Sequence, residues 1–180
     1  MRFWFAALLC IGICPASFAE TYEVDAVHSS VMFRVTHTEI SYIYGMFKET
    51  SGTFSLDNAE AVDVKIAVAS IETGNEGRDK HLLSPDYFSA KQFPEIRFQG
   101  KSIQPTADGA EVTGELTVKG VTKRATITIK EIGKGQGRSS DSRMGVEALF
   151  AIKRSDFGVG GPQGLSDRVR LYVSLQGVTK

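Results

Sequence analysis

The chain has 180 residues, with 21 Lys and Arg against 21 Asp and Glu, so its formal net charge at pH 7 is zero. This balance argues against a nucleic acid or an anionic membrane as a partner that is recognised by bulk charge. The length suits one domain with a substantial core, and no linker, internal repeat or low-complexity block divides the chain.

The first nineteen residues have the features of a secretory signal peptide. Arg2 supplies the positive charge, residues 3–13 form an apolar run, and small residues precede the end of the segment at Ala19. The apolar run is shorter than the ~20 residues of a membrane span, and no other stretch approaches that length. We therefore predict cleavage after Ala19, export to the periplasm, and a mature domain over residues 20–180.

The two cysteines, Cys10 and Cys14, both lie in the predicted signal peptide. After cleavage the chain would contain no cysteine, and its net charge would be −1, because Arg2 is also removed. Disulfides, thiolate catalysis and cysteine-bound metals are then excluded together.

Apolar and polar residues alternate through most of the remaining chain, which is typical of half-buried β-strands. The alternating stretches are residues 31–37, 62–68, 112–118, 125–129, 146–152 and 169–175, with shorter ones at 22–27, 52–56 and 96–100. Eight or nine such strands predict a sandwich or a barrel. A closed sheet of about eight strands is either filled by side chains or holds one small ligand, and the pattern leaves both open.

One region, near residues 76–90, interrupts the β pattern. The sequence predicts a short helix beginning near Glu76. Ser84 as an N-cap and Pro85 at a first helical position then predict a second turn of helix, which would carry Tyr87 and Phe88. We expect these two aromatic residues to plug one end of the barrel.

Residues 40–47 are unusually apolar for a connection that follows a strand. The segment contains Tyr42, Ile43, Tyr44 and Phe47. Tyrosine combines an apolar ring with a polar tip, so one interpretation is a lid or a lip that touches the membrane. The alternative is a short helix packed over the barrel end or a dimer contact.

The three histidines match no metal-binding signature. His37 lies on the same strand face as Phe33 and Val35, so it either contacts a ligand head group or is a hydrogen-bonded core residue. Ser29 follows His28 directly, and adjacent strand residues point to opposite faces, which argues against a nucleophile and base pair. We predict no catalytic residue, no metal site and no cofactor.

Seven sequence motifs occur in a fixed order along the predicted domain. They are DAVHS at 25–29 leading to FRVTH at 33–37, GMF at 45–47, SIETG at 70–74, RDKHL at 78–82, FPEIRF at 93–98, GELTVKGVTK at 114–123 and RSDFG at 154–158. In this order they resemble the YceI-like family, and the resemblance spans essentially the whole predicted mature chain.

The resemblance implies a periplasmic, lipocalin-like barrel, often dimeric, whose apolar pore binds polyisoprenoids or other long-chain lipids, including isoprenoid quinones. We therefore predict an all-β fold: a single antiparallel lipocalin-like β-barrel of about eight strands with a short helical insertion near residues 76–90. The predicted function is that of a periplasmic carrier or chaperone for an isoprenoid quinone, a polyprenyl phosphate or a similar amphiphile. Two alternatives are an enzyme acting on such a lipid, with His37 or His81 as acid or base, and a stress-protective protein with a filled barrel.

The ligand-binding residues that we predict are inward-facing members of the alternating strands, together with two residues near the rim. They are Phe33, Val35, His37, Phe47, Val64, Ile66, Phe98, Leu116, Val118, Phe150 and Ile152. The alternative for the apolar members is that they fill the barrel as core.

The predicted partners are a long-chain lipid, a membrane surface touched transiently, and a second copy in a homodimer. A charged head group would need a basic residue at the pore mouth, for which Arg34, Arg97 and Arg154 are candidates. Because Arg34 and Arg97 are predicted to face outward, the sequence favours an uncharged or solvent-exposed head group.

Overall fold

The structure, a computed structural model, describes residues 20–179, so the predicted signal peptide lies outside the described residues. It contains one α-helix, α1, at Glu76–Leu82. The strands are β1 Tyr22–Val24, β2 Ser30–His37, β3 Ser41–Phe47, β4 Thr50–Phe54, β5 Asp63–Ala67, β6 Ile71–Glu72, β7 Glu95–Thr106, β8 Gly109–Val118, β9 Val121–Gln136, β10 Ser142–Lys153 and β11 Leu165–Thr179. No helix in this described part of the chain is long and apolar enough to cross a membrane.

Eight of the strands form a closed antiparallel barrel. Their order is β1-β4-β5-β7-β8-β9-β10-β11, and β1 also pairs with β11, which completes the ring. The final strand is shared, since its residues 165–174 pair with β2 whereas Gly177–Thr179 pair with β1. Strands β3 and β6 continue the sheet beyond β2. The predicted all-β barrel of about eight strands with a short helical insertion is therefore confirmed.

One end of the barrel interior, here called the filled end, is packed solid. Its buried cluster consists of Tyr22, Phe54, Leu56, Val62, Ala110, Val112, Met144, Val146 and Leu175. Tyr22 and Phe54 stack with ring centroids 5.6 Å apart. A Cβ at Gly177 would lie 2.6 Å from both side chains, so only glycine allows this stack. Burial and the hydrogen bond to Glu20 raise the pKa of Tyr22 to about 12.

The other end, here called the hollow end, has a second buried cluster beneath a cover of irregular chain. The cluster is Val31, Phe47, Val68, Ile71, Tyr87, Ile96, Leu116, Val118, Phe157 and Val159. The cover is formed by α1, the turns of residues 84–92 and the loop of residues 158–164. A Cβ at Gly45 would lie 2.2 Å from the ring of Phe33, so glycine is what allows this ring to lie across β3.

The helical insertion differs from the prediction after residue 83. Asn75 caps α1 by accepting a hydrogen bond from the Arg78 amide at 2.9 Å. The amides of Phe88 and Ala90 then bond to the carbonyls of Leu82 and Leu83, so the chain folds back onto the end of α1. No second helical turn forms, and the Ser84 hydroxyl is buried without a partner among the described residues. The predicted N-cap role of Ser84 is wrong.

The apolar segment of residues 40–47 is also corrected, because it is the strand β3 and not a rim connection. It forms a hairpin with β2 in which Phe47 pairs with Val31 and Tyr44 with Arg34. Phe47 is buried inside, whereas Tyr42 and Tyr44 are exposed on the outer face. Since both faces of β3 carry apolar residues, the period of two that marks a strand was hidden in the sequence.

One seam of the barrel is incomplete at the hollow end. Strand β9 pairs with β8 over the full length of β8. Its ladder to β10, in contrast, covers only residues 130–136 of β9 and ends at the pair Glu147–Lys130. Residues 121–129 of β9 and 148–153 of β10 therefore have no ladder pairing with each other.

Candidate functional site: an apolar cavity with two polar openings

The hollow end encloses a cavity of about 140 Å³. Its walls come from the inward faces of β2, β3, β5, β7, β8, β10 and β11, and its cover comes from the loops described above. Apolar side chains line it, with Arg154 as the single charged residue among them. The lining residues outside the predicted ligand-binding set are Val31, Leu82, Tyr87, Phe88, Ile96, Phe157, Val159, Gly160, Leu165, Val169, Leu171 and Val173.

Most of the predicted ligand-binding residues lie in this cavity wall. They are Phe33, Val35, Phe47, Ile66, Leu116, Val118, Phe150 and Ile152. The structure thus brings them together, although their contact with a ligand stays a prediction. Tyr87 and Phe88 also line the cavity, as expected of a plug, and the Phe88 ring meets Phe47 edge to face at 6.1 Å.

Three predicted residues lie elsewhere. Val64 packs against the filled end, and Phe98 packs against both clusters. These two residues pair across β5 and β7, whereas the next inward pair, Ile66 and Ile96, reaches the cavity. Alternation identified the inward face correctly, but it contains no information about depth along the barrel axis. His37 is exposed, so the interpretation as a core histidine is wrong.

Five of the additional lining residues show what the sequence could and could not indicate. Val169, Leu171 and Val173 belong to an alternating stretch, and their pairing with Val35, Phe33 and Val31 of β2 could have assigned them to the same wall. Phe157 lies in a 3₁₀ turn, Arg154–Phe157, and Val159 in a loop. No periodic signal marks such positions.

Arg154 ties the loop of residues 158–164 to the barrel. Its guanidinium nitrogens donate to the carbonyl oxygens of Val159, Leu165 and Ser166 at 3.1 to 3.2 Å. All three nitrogens are therefore engaged with backbone, and the residue acts as a clamp on this loop. From the sequence, Arg154 was a candidate partner for a charged head group.

The other two arginine candidates face outward, as predicted. The Arg34 guanidinium lies over the Tyr42 ring at 4.0 Å, a cation–π contact on the outer face. Arg97 binds Asp63 through two hydrogen bonds of 2.7 Å. This contact holds the pKa of the Asp63 carboxyl below its usual value.

A first opening, here called the vestibule, adjoins the cavity beside α1 and has a volume of about 240 Å³. Its polar residues are His37, Thr73, Arg78 and His81, and it shares Phe33, Val35, Leu82, Tyr87 and Leu165 with the cavity. Arg78 donates from Nε to the Thr73 hydroxyl and from Nη2 to the Thr73 carbonyl, both at 2.7 Å.

A second opening, here called the side cleft, occupies the incomplete seam between β9 and β10 and has a volume of about 560 Å³. Its floor is shared with the cavity through Leu116, Phe150, Ile152 and Phe157. The rest of its lining is Ala125, Ile127, Ala151 and Thr126 with the charged residues Lys123, Arg124, Lys153, Asp156 and Arg168.

The titratable side chains form no metal cluster in residues 20–179, where no group of three His, Cys, Asp or Glu side chains could hold an ion. His28 contacts Asp25 at 2.8 Å, but the Ser29 hydroxyl donates to the Asp25 carbonyl and not to the imidazole. His81 lies 3.5 Å from Asp86 and packs against the Tyr87 ring at 4.9 Å.

The closed eight-stranded barrel, with an apolar cavity at one end, defines the chain as a lipocalin-like β-barrel protein. The YceI-like domain family model matches residues 22–177. Protein YceI of Escherichia coli O17:K52:H18 is 37% identical over 167 residues, which cover 89% of this chain and 87% of that protein. The chain therefore belongs to the YceI-like family.

Solved structures agree with this fold. Burkholderia cenocepacia BcnA superposes with a TM-score of 0.73 at 27% identity, covering 85% of this chain and 98% of that chain. A polyisoprenoid binding domain from Saccharophagus degradans, implicated in plant cell wall breakdown, superposes with a TM-score of 0.67. It is 14% identical and covers 91% of this chain and all of the other, a likeness of fold alone.

Proposed function

We propose that the protein binds one long-chain amphiphile of the isoprenoid class and carries or shields it in the periplasm. The apolar cavity of the hollow end is the observation that carries this proposal. Burying one methylene group is worth ~0.8 kcal/mol, so a long apolar chain gains many kcal/mol by leaving water for such a site. The same fold serves in a domain described as polyisoprenoid binding, which suggests the ligand class by analogy.

The cavity size limits how the chain can bind. A cavity of about 140 Å³ compares with an engineered cavity of about 150 Å³ that holds one benzene molecule. A long chain therefore exceeds the central cavity and must extend into the side cleft or the vestibule, both of which share its lining. We propose that the three spaces together form the ligand site.

Organic extraction of the purified protein, followed by mass spectrometry, tests this function. We expect one co-purifying lipid with a long apolar chain and about one equivalent per protein. Ile152→Trp, which fills the cavity wall, should abolish the recovery. Leu149→Trp on the outer face of the same strand is the matched control and should leave it intact. A folded wild-type protein that takes up no lipid from liposomes would contradict the proposal.

Binding without reaction is part of the same proposal. Incubating the protein with the extracted lipid should return that lipid with its mass unchanged. A new product that disappears in a His37→Gln or His81→Gln variant would support the enzymatic alternative instead.

The predicted cleavage and the predicted homodimer have separate tests. N-terminal sequencing of the exported protein should give a sequence that begins at Glu20. Light scattering of the purified protein tests the homodimer.

A further inference from the structure

The side cleft exposes a lysine that a closed barrel would bury. Lys123 pairs directly with Leu116 across β8 and β9, and directly paired residues project from the same face of a sheet. Leu116 points into the cavity, so Lys123 stands in the inward-facing row. It is nevertheless exposed, because β10 has separated from β9 at this level. A cation on the inner row has a physical reason only if the seam stays open.

The rim of the side cleft is strongly basic. Lys123, Arg124, Lys153 and Arg168 line it together with one carboxylate, Asp156. Within residues 20–179, none of these four cations forms a salt bridge. This local excess of positive charge contrasts with the neutral balance of the whole chain.

Nearby carboxylates are engaged elsewhere. Glu115 pairs opposite Arg124 in the ladder, but its side chain forms a salt bridge of 3.1 Å with Lys101. Asp167 accepts hydrogen bonds from the amide and hydroxyl of Ser155, which hold the pKa of its carboxyl below the usual value. Asp167 still acts electrostatically on Lys153. Since four cations face two carboxylates, Asp156 and Asp167, the rim keeps a net positive charge that favours an anion from outside.

The end of the barrel is more firmly closed than its side. Lys119 donates from Nζ to the carbonyls of Pro85 and Gly158 at 3.0 and 2.9 Å. The Gly160 amide also bonds to the Asp86 carbonyl at 3.1 Å. These bonds join the turns after α1 to the loop of residues 158–164 and hold this part of the cover together. The side cleft lies outside these bonds and shares its floor with the cavity.

We propose that the side cleft is the access route and the head-group site for an amphiphile with an anionic head, a phosphate monoester or a carboxylate. The head group would bind the four rim cations through charge-assisted hydrogen bonds. The chain would cross Phe150 and Ile152 into the cavity. This inference rests on the proposed function; of the two expectations from the sequence, an uncharged or a solvent-exposed head group, it keeps the second and replaces the first.

Calorimetric titration with matched probes tests the inference on the exported protein. Geranylgeranyl phosphate and geranylgeraniol have the same chain and differ in head charge, and palmitate and hexadecanol form a second such pair. We expect geranylgeranyl phosphate to bind at least about tenfold more tightly than the alcohol, a difference of about 1.4 kcal/mol. Raising the salt concentration should weaken only the anionic probe. If palmitate also binds more tightly than hexadecanol, the site accepts anionic head groups in general. If only the phosphate binds more tightly than its alcohol, the site is specific for phosphate. Either result supports the inference.

The triple variant Lys123→Gln, Lys153→Gln, Arg168→Gln should reduce that preference to less than about threefold while the alcohol binds as before. Lys130→Gln is the matched control, because Lys130 lies on the same strand near the filled end. A preference that survives the triple variant but disappears in Arg78→Gln would overturn the inference in favour of the vestibule. Equal binding of phosphate and alcohol by wild type would also overturn it, with the proposed function intact. Binding of neither probe would contradict the proposed function itself.

Discussion

The filled and hollow ends of the barrel share the long strands β7–β11 and the same alternation, yet only the hollow end contains a cavity. At the filled end β1 closes the ring between β4 and β11, and the β9–β10 ladder is complete. At the hollow end that ladder stops and loops replace strands as the cover. A cavity of about 140 Å³ represents roughly 3 kcal/mol of stability that full packing would have supplied. The proposed function gives a reason for this difference: the hollow end would exchange packing for space that a ligand fills.

The largest expected contrast comes from removing one ring at each end. Phe54→Ala at the filled end should lower the free energy of unfolding by about 3–5 kcal/mol, because Phe54 is buried and stacked on Tyr22. Phe150→Ala should cost only about 1–2 kcal/mol, since its ring borders the cavity and the side cleft and is less completely packed. Urea unfolding of both variants measures this. Equal losses of unfolding free energy in the two variants would contradict the difference between the two ends.

Enlarging a valine should give the next largest contrast. Val112→Phe places a bulky ring in the filled end, where Val112 is completely buried, and should destabilise the protein by about 1–3 kcal/mol. Val169→Phe directs the same ring into the cavity wall and should cost less than about 1 kcal/mol while reducing lipid uptake. Thermal unfolding and lipid extraction of the two variants test the pair. If Val169→Phe were the more damaging change, the cavity would not tolerate an added ring.

Arg154, which ties the loop of residues 158–164 to the barrel, should give a smaller and more local effect on stability. Arg154→Lys keeps the charge but cannot reach three carbonyl oxygens at once, so we expect a loss of about 1–2 kcal/mol. Hydrogen exchange should become faster in residues 158–165 and stay unchanged around Met144 at the filled end. Uniform acceleration at both ends would show that the two ends do not open independently.

The smallest expected effect is a loss of stability at acid pH that comes from Asp25. The hydrogen bond from His28, with others from Arg143 and the Val27 amide, holds the pKa of Asp25 below its usual value. A carboxyl whose pKa is lower in the folded chain stabilises the fold above its unfolded pKa, and that contribution is lost as the pH falls through the folded value. Stability should therefore decline below about pH 4, and less steeply in Asp25→Asn. Acid titrations of wild type and variant with the same slope would contradict this role.

Alternation predicted the strands, the barrel and most of the cavity wall, because a period of two assigns each residue to a face. It assigned Val64 and Phe98 to the inward face but contained no information on their depth, and both lie outside the cavity lining. It failed at β3, where both faces are apolar. The basic rim escaped prediction for a different reason: Lys123 and Lys153 are 30 positions apart, and only the pairing register brings their strands to the same opening. The open seam leaves one sign in the sequence: Lys123 stands in the inward-facing row of residues 121–129, which otherwise alternate like a paired strand.

The shared final strand has a consequence for how the barrel folds. Tyr22 pairs with Thr179, so the contact that closes the ring joins residues from opposite ends of the domain. Such closure brings the largest loop entropy and the highest contact order of any pairing in the fold, which slows folding. β-Hairpins such as β7–β8 and β10–β11 can form as soon as they emerge, but the Tyr22–Phe54 stack sits beneath the last three paired residues. A chain emerging in the N-to-C direction must therefore keep this aromatic cluster uncovered until its final strand arrives, so the filled end is the last part of the barrel to be sealed.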